Sequence, residues 1–257
     1  MTPYARFSRF YDQVMGDRSA AANYIGSLIE CYHSGAKTLL EIACGTGGML
    51  GRLSESYDVT GLDRSQPMIA IARKRLPYIP IFRQDIKSFH FDRRFDAIVC
   101  AFDSINHLQR FADWKKTFRC VVRHLNAGGV FVFDVNTPGK LQRLVDGEPW
   151  VNQFGRDLVV IKVNGGRGGV FAWNVKIFEH RKRVDYKLIE ETIEEMAIPM
   201  RRILHALRTH FTEVKVFDPE GARPSDRSER LYFVCKIAHK KTRINGRRAN
   251  EGNPHRQ

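Results

Sequence analysis

Three short segments carry residue types that could hold an adenosine-like ligand. The first is Leu39-Leu40-Glu41-Ile42-Ala43-Cys44-Gly45-Thr46-Gly47-Gly48, an apolar strand that runs into a glycine turn and then a helix. Gly45 and Gly47 let the backbone approach a ligand with no Cβ in the way. Glu41 is an acid inside a buried strand, a costly placement without a partner. A ligand ammonium, directly or through backbone groups, supplies one. The second is Asp63, which closes the apolar run DVTGLD and is placed to accept hydrogen bonds from both hydroxyls of a ribose. The competing reading is an acid balancing a helix dipole. The third is Asp85, which ends the predicted third strand in Arg83-Gln84-Asp85-Ile86. Its carboxylate can accept from an adenine amino group while Ile86 packs on the ring. Leu50 stands where a dinucleotide G-x-G-x-x-G needs its third glycine, and no G-K-[ST] is present, which counts against NAD and ATP.

A fourth segment, Ala101-Phe102-Asp103-Ser104-Ile105-Asn106-His107-Leu108, follows the predicted fourth strand. His107 has the intrinsic acidity of a group that exchanges protons near neutrality, which suits a base. A helix-start histidine with a structural hydrogen bond is the alternative.

These segments need a scaffold that delivers them to one edge. Helical spacing covers residues 19–33. Strands are predicted at TLLEI, DVTGLD, IPIFRQD, FDAIVCAF and GGVFVFDV, with helices between them. Such alternation gives an α/β fold, a Rossmann-like, mostly parallel sheet with helices on both faces and ligands at the carboxyl ends of its strands. After Pro138 the pattern changes to alternating strands with a GGRGG connection, which reads as an inserted antiparallel lid sheet. A helix at 199–210 and the strands EVKVFD and RLYFVCKI complete the main sheet. The expected layout is cap helices at 1–35, a core at 36–148, the lid at 149–190, closing elements at 191–238 and a disordered basic tail at 239–257.

The 257 residues, 43% hydrophobic, suffice for one sizeable core. No apolar run is long enough for a membrane span, and the N-terminus lacks a signal-peptide pattern. Five cysteines without C-x-x-C spacing read as reduced thiols, with Cys44, Cys100 and Cys235 buried, which points to the cytoplasm and to no structural zinc. The net charge is +14, and residues 239–257 hold six Lys and Arg against one Glu. The remaining excess is scattered and reads as a solvated surface, although such charge also suits nucleic acid.

The glycine turn, Asp63, Asp85 and FDAIVC resemble the class I S-adenosylmethionine (SAM)-dependent methyltransferases over roughly residues 36–136. Tyr4-x-x-Phe7-x-x-x-Tyr11-Asp12 looks like the cap segment of small-molecule methyltransferases. The inserted sheet and Ser228-Glu229-Arg230-Leu231-Tyr232-Phe233-Val234 look like the branch that includes amino-sugar N-methyltransferases and glycine/sarcosine-type enzymes. The resemblance implies SAM as cofactor, contacted by Tyr11, Glu41, Ala43, Gly45, Gly47, Asp63, Arg64, Met68, Asp85, Ile86, Ala101 and Phe102. It implies methyl transfer to an N or O nucleophile of a small molecule, with His107 and Tyr11 as catalytic candidates and no metal. Asn106, His107, Trp150 and Trp173 are substrate-binding candidates, and Phe171 could join an apolar substrate wall. The segment 101–108 is not [DNS]-P-P-[YFW], which counts against nucleic acid and protein-amide substrates. An RNA or protein methyltransferase is the alternative that the charge supports. The expected assembly is a monomer or homodimer without membrane attachment.

Overall fold

The structure is a computed structural model that describes residues 7–183 and 185–238. The expected disordered tail at 239–257 and Tyr4 of the cap segment lie outside the described residues.

Five parallel strands form the centre of the main sheet: β1 (Thr38–Ile42), β2 (Asp58–Asp63), β3 (Ile81–Arg83), β4 (Phe95–Cys100) and β5 (Leu125–Asn136). Two antiparallel strands, β10 (Glu213–Phe217) and β11 (Arg230–Lys236), close it in the order β10-β11-β5-β4-β1-β2-β3. The strand order reverses between β1 and β4, and a crevice opens there at the carboxyl ends of the strands.

A parallel sheet must be covered on both faces. Period-2 alternation divides its side chains between them. Leu39, Val59, Val99 and Val132 face helices α2 (Ser19–Tyr32), α3 (Gly48–Leu53) and α4 (Gln66–Arg75), which contribute Ile25, Leu50 and Ile69. Leu40, Ile98, Phe131 and Phe133 face α5 (Phe111–His124) and α7 (Met200–Leu207), which contribute Trp114, Phe118 and Ile203. The Trp114 indole N–H donates to the Leu108 carbonyl at 2.9 Å, which anchors the segment carrying His107. Cys44, Cys100, Cys120 and Cys235 are buried free thiols, and Cys31 is exposed. Among the described residues no helix is long and apolar enough to cross a membrane.

The third strand ends at Arg83, two residues short of the expected Asp85. The Asp85 carboxylate accepts from the Lys87 amide at 2.9 Å, and its carbonyl from the Ser88 amide at 2.9 Å. An aspartate that bonds the backbone two residues on makes a turn and stops the ladder.

After α6 (Pro138–Asp146) the lid sheet comprises β6 (Trp150–Phe154), β7 (Asp157–Gly165), β8 (Val170–His180) and β9 (Tyr186–Met196), all antiparallel neighbours. The GGRGG stretch joins β7 to β8, with Gly168 and Gly169 at φ 69° and 81°. The lid strand β9 runs to Met196, past the expected boundary at 190, because Ile189, Ile193 and Glu195 keep alternating inward. Helix α1 (Ser8–Met15) fills the lid's underside, where Phe7 and Phe10 pack on Val159, Ile161, Val175 and Ile177. The Phe7 amide donates to Glu191 at 2.9 Å, and Arg9 pairs with Glu179 at 2.8 Å.

Asn106 ties the lid to the core. It is fully buried, its Nδ2 donates to the carbonyls of Asn136 and Met196 at 3.1 Å each, and its Oδ1 accepts from the Asn136 amide at 3.3 Å. The backbone takes up the amide expected to bind substrate, so Asn106 acts as a staple. Its removal strands two buried carbonyls, each worth about 1–3 kcal/mol. Asn106→Ala is therefore expected to lower unfolding free energy by about 2–4 kcal/mol in a urea titration. A loss under about 0.5 kcal/mol, the level of an ordinary surface change, would contradict the staple.

Candidate active site

The crevice at the switch point is a cleft of about 690 Å³. Tyr11, Ala43, Gly45, Asp63, Arg64, Met68, Asp85, Ile86 and His107 line it, together with Ser65, Ser104 and Leu108, which the sequence did not single out. A smaller hollow of about 250 Å³ is lined by Glu41, Ala101, Phe102 and Arg18, and shares Tyr11, Ala43, Gly45 and Ser104 with the cleft. Eleven of the twelve cofactor candidates thus lie on one connected wall. The twelfth, Gly47, caps α3 at φ 77°, where a Cβ would stand 2.9 Å from Leu76.

The wall is built by backbone conformations that side chains disfavour. Ala43 has φ 60°, Gly45 54°, Phe102 56° and Asp103 50°. Left-handed non-glycine residues cost about 1–3 kcal/mol each and persist only where neighbours over-determine them. Asp63 fixes the first turn: its Oδ2 accepts from the Gly45 amide at 2.9 Å and its Oδ1 from the Ser65 amide at 2.7 Å. Asp134 fixes the second, accepting from the Asp103 amide at 2.9 Å. Burial raises the Asp63 carboxyl above its usual range, although the Ser65 and Gly45 amides oppose it. Ser65 Oγ is buried with no hydrogen-bond partner.

The hollow has the chemistry for a zwitterion. Glu41 is 2% exposed, and its Oε2 is buried without a partner. Burial raises its pKa well above the carboxylate range, against the pull of Arg18. An ammonium fits this orphaned oxygen, while the Arg18 guanidinium fits a carboxylate. Arg18, itself buried, stacks over the rings of Tyr11 (5.3 Å) and Phe102 (5.8 Å) and bonds Asp12 at 2.9 Å. Asp12 also accepts from Thr46 Oγ1 at 2.6 Å and pairs with Arg75, so α1 is clamped onto the glycine turn. Gly48 makes room for Arg18: a Cβ there would lie 2.0 Å from its Nη1. Nothing in the sequence marked Arg18 among its many basic residues. Its role depends on α1 and the turn meeting in space.

At the other end of the cleft stands His107. Its Nδ1 lies 3.2 Å from the Glu194 carbonyl, which can only accept, so Nδ1 carries the proton and Nε2 the lone pair. Burial lowers its pKa, partly offset by Asp103, and favours the neutral ring. Burial also pushes the Tyr11 phenol well up, so it stays protonated and serves as an aromatic wall or donor rather than a base. Trp173 and Phe171 sit on the lid's inner side, packed with Leu141 and Val163. Trp173 Nε1 is buried without a partner. Trp150 is 41% exposed on the edge strand β6, pairs with Ile161, packs against Phe154 and is not among the described residues lining the cleft.

A methyltransferase domain model matches residues 39–129. The chain is 27% identical to a protein designated methyltransferase YqeM from Bacillus subtilis (strain 168), over 91% of this chain and 96% of that one. It is 34% identical to the dTDP-3-amino-3,4,6-trideoxy-alpha-D-glucopyranose N,N-dimethyltransferase of Streptomyces venezuelae, over 46% of this chain and half of that protein's length. Among solved structures, the sugar N-methyltransferase KedS8 from Streptoalloteichus sp ATCC 53650 aligns with a TM-score of 0.76 and 26% identity, covering 91% of this chain and 93% of that one.

Two outcomes follow for the hollow. Gly48→Ala is expected to displace Arg18 and weaken SAM binding about ten- to a hundredfold by calorimetry, the worth of a charged hydrogen bond. Unchanged affinity would remove Arg18 from the ligand. Glu41, raised in the empty fold, disfavours the folded state as pH climbs above about 4.3, its ordinary value. A ligand ammonium favours its ionised form, so binding should release a proton and tighten as pH rises. Calorimetry of SAM binding in two buffers of different ionisation enthalpy measures that release. Glu41→Gln should abolish it, and equal release in both proteins would contradict the assignment.

Proposed function

We propose that this chain, a class I SAM-dependent methyltransferase by its fold, its family match and its cleft, transfers a methyl group to an amino nitrogen of a small, sugar-like molecule. When bound, SAM supplies an electrophilic methyl on a sulfonium. The chain's own residues do the rest. We assign Asp63 and Asp85 to the ribose and adenine, Glu41 and Arg18 to the amino-acid end, and His107, which lines the same cleft and meets β9 at the Glu194 carbonyl, to the acceptor.

The position of His107 carries this reading. A neutral imidazole lines the cofactor cleft, with its Nδ1–H donating to the Glu194 carbonyl at 3.2 Å. Direct displacement requires alignment of nucleophile, methyl and sulfur, and a base that removes the nucleophile's proton. The lid meets the cleft through β9, whose Glu194 carbonyl holds His107, and an enclosed site of this kind suits a modest substrate. The likeness to sugar N-methyltransferases supports nitrogen over oxygen. For an RNA or protein substrate, a basic groove continuous with the methyl site would be needed. Arg64 is the single Lys or Arg among the described residues lining the main cleft, which favours the small molecule. Free, mostly buried cysteines support a reducing compartment such as the cytoplasm.

The test is release of S-adenosylhomocysteine (SAH) with matched acceptors, an aminodeoxy sugar nucleotide and its hydroxyl counterpart. Turnover is expected with the amine. Turnover restricted to the hydroxyl compound, or to RNA, would overturn the reading. On the amine, His107→Ala should cut turnover by about 10²–10⁴-fold with SAM affinity unchanged. Wild-type turnover in that variant would remove His107 as a base.

A further inference from the structure

The lid sheet ends in two edge strands, and they are not alike. Along β9 stand Lys187, Glu190, Glu191 and Glu194, the kind of charge that keeps an edge from pairing with another chain. Along β6, Trp150-Val151-Asn152-Gln153-Phe154, there is no charge at all. Trp150 and Val151 are 41% and 56% exposed. Trp150 and Asn152 stand opposite Ile161 and Val159, which are buried under Phe7 and Phe10 of α1, so the lid's apolar face runs out to Trp150 and ends there uncovered. The turn Gly155-Arg156 closes β6 onto β7 at the pair Phe154–Asp157. Alternation therefore commits the amides and carbonyls of Trp150, Asn152 and Phe154 to β7 and turns those of Val151 and Gln153 outward. The Gln153 amide accordingly meets no strand and donates to Asn152 Oδ1 at 2.8 Å.

This edge is complementary to itself. Laid antiparallel on a second copy, with a two-fold axis through Asn152, Val151 falls opposite Gln153, Trp150 opposite Phe154 and Glu148 opposite Arg156, each pair occurring twice. Val151 and Gln153, whose groups point outward, then exchange both of their backbone hydrogen bonds. The Trp150–Phe154 pairs fall at positions without ladder bonds, where side chains lie closest. These rings already touch within the strand, 6.3 Å between centroids, so two copies build one aromatic cluster. Glu148 and Arg156 are exposed and make no ion pair among the described residues. Centring the axis on Val151 instead sets Gln153 against Pro149, which has no amide, and Glu148 against Phe154.

We propose that β6 is a docking edge for a second copy of this chain, and that two lids join there, β6 against β6, into one continuous antiparallel sheet. The occupant is another copy because an uncharged strand is flanked by charges of opposite sign at symmetric positions, and a two-fold axis brings each onto its opposite. A foreign strand has no reason to carry that pattern. Five-residue strands bury less area than a standard interface, so the dimer depends on concentration. Pairing covers Trp150 and ties both lids into one body, whose β9 strands carry the Glu194 carbonyls that hold His107. The proposal is independent of what the enzyme methylates.

The experiment is sedimentation velocity of the full chain between about 1 µM and 1 mM, over which monomer should pass to dimer. Glu148→Arg, and separately Arg156→Glu, sets like charges opposite each other twice and should weaken association about tenfold. Combining the two restores opposite signs and should recover wild-type association. Glu148 and Arg156 flank opposite ends of the strand, so that recovery can arise only between copies. Val151→Pro removes an outward amide that β7 does not use, and should abolish the dimer while the monomer stays folded. In a Cys31→Ser background, Asn152→Cys lies on the axis and should cross-link two copies under mild oxidation, because directly opposed Cα atoms about 4.5–5.5 Å apart fall in the disulfide range. A chain still monomeric at about 1 mM, the result if a foreign strand or another segment of this chain takes the edge, would overturn the proposal. So would a dimer indifferent to both charge reversals, which would place the interface elsewhere. The concentration series, the charge variants at exposed positions and the cross-link decide the matter if Val151→Pro does not fold.

Discussion

The Asp63 carboxylate is the contact on which the cofactor side of the molecule depends. It receives the Gly45 amide from one βα turn and the Ser65 amide from the next, and so sets the width of the cleft between β1 and β2. Neither turn could hold its geometry alone. The first passes through left-handed Ala43 and Gly45, and left-handed backbone needs outside support unless the residue is glycine. The cost is a carboxylate driven into a nearly buried position, tolerable because amides supply the hydrogen bonds that water would.

The same arrangement recurs around the cleft. Asp12 gathers Arg18, Thr46 and Arg75, and Asp134 gathers Arg230 and the Asp103 amide. Each acid joins segments far apart in the chain. Burial strengthens such contacts, and it also makes any unpaired member expensive. Glu41, Ser65 and Asp134 each leave an oxygen unsatisfied, all at the carboxyl edge of the sheet. The one other such buried side-chain atom among the described residues is Trp173 Nε1, in the lid. The unsatisfied atoms mark where the fold is incomplete without a ligand.

The lid acts through its last strand. Its β9 end meets the 101–109 segment at Asn106, His107 and Gln109, while α1 is pressed between the lid and the glycine turn. The lid, the substrate end and the cofactor end are therefore mechanically connected. A shift of β9 moves the carbonyl that fixes the His107 tautomer together with the Glu195 carboxyl that accepts from Asn136.

Local pattern alone determined the alternating strands and helices, the glycine turn and the acids at strand ends, because these follow from periodicity and from backbone rules acting over a few residues. It also marked the antiparallel insert, and it put His107 beside a cleft that the fold does form. It misplaced the end of β3, where an aspartate turn intervenes, and the end of the lid, where inward alternation runs on to Met196. It assigned Asn106 to substrate; a buried staple and an exposed polar contact look alike in sequence, since burial is set by what packs from elsewhere. Arg18 and Glu195 carried no local signal, and the motifs that hold Gly48 and Arg230 did not show what those residues meet. Their roles arise only when α1, β9 and β11 are brought to the same edge, and a charge has meaning there only through the charges it meets.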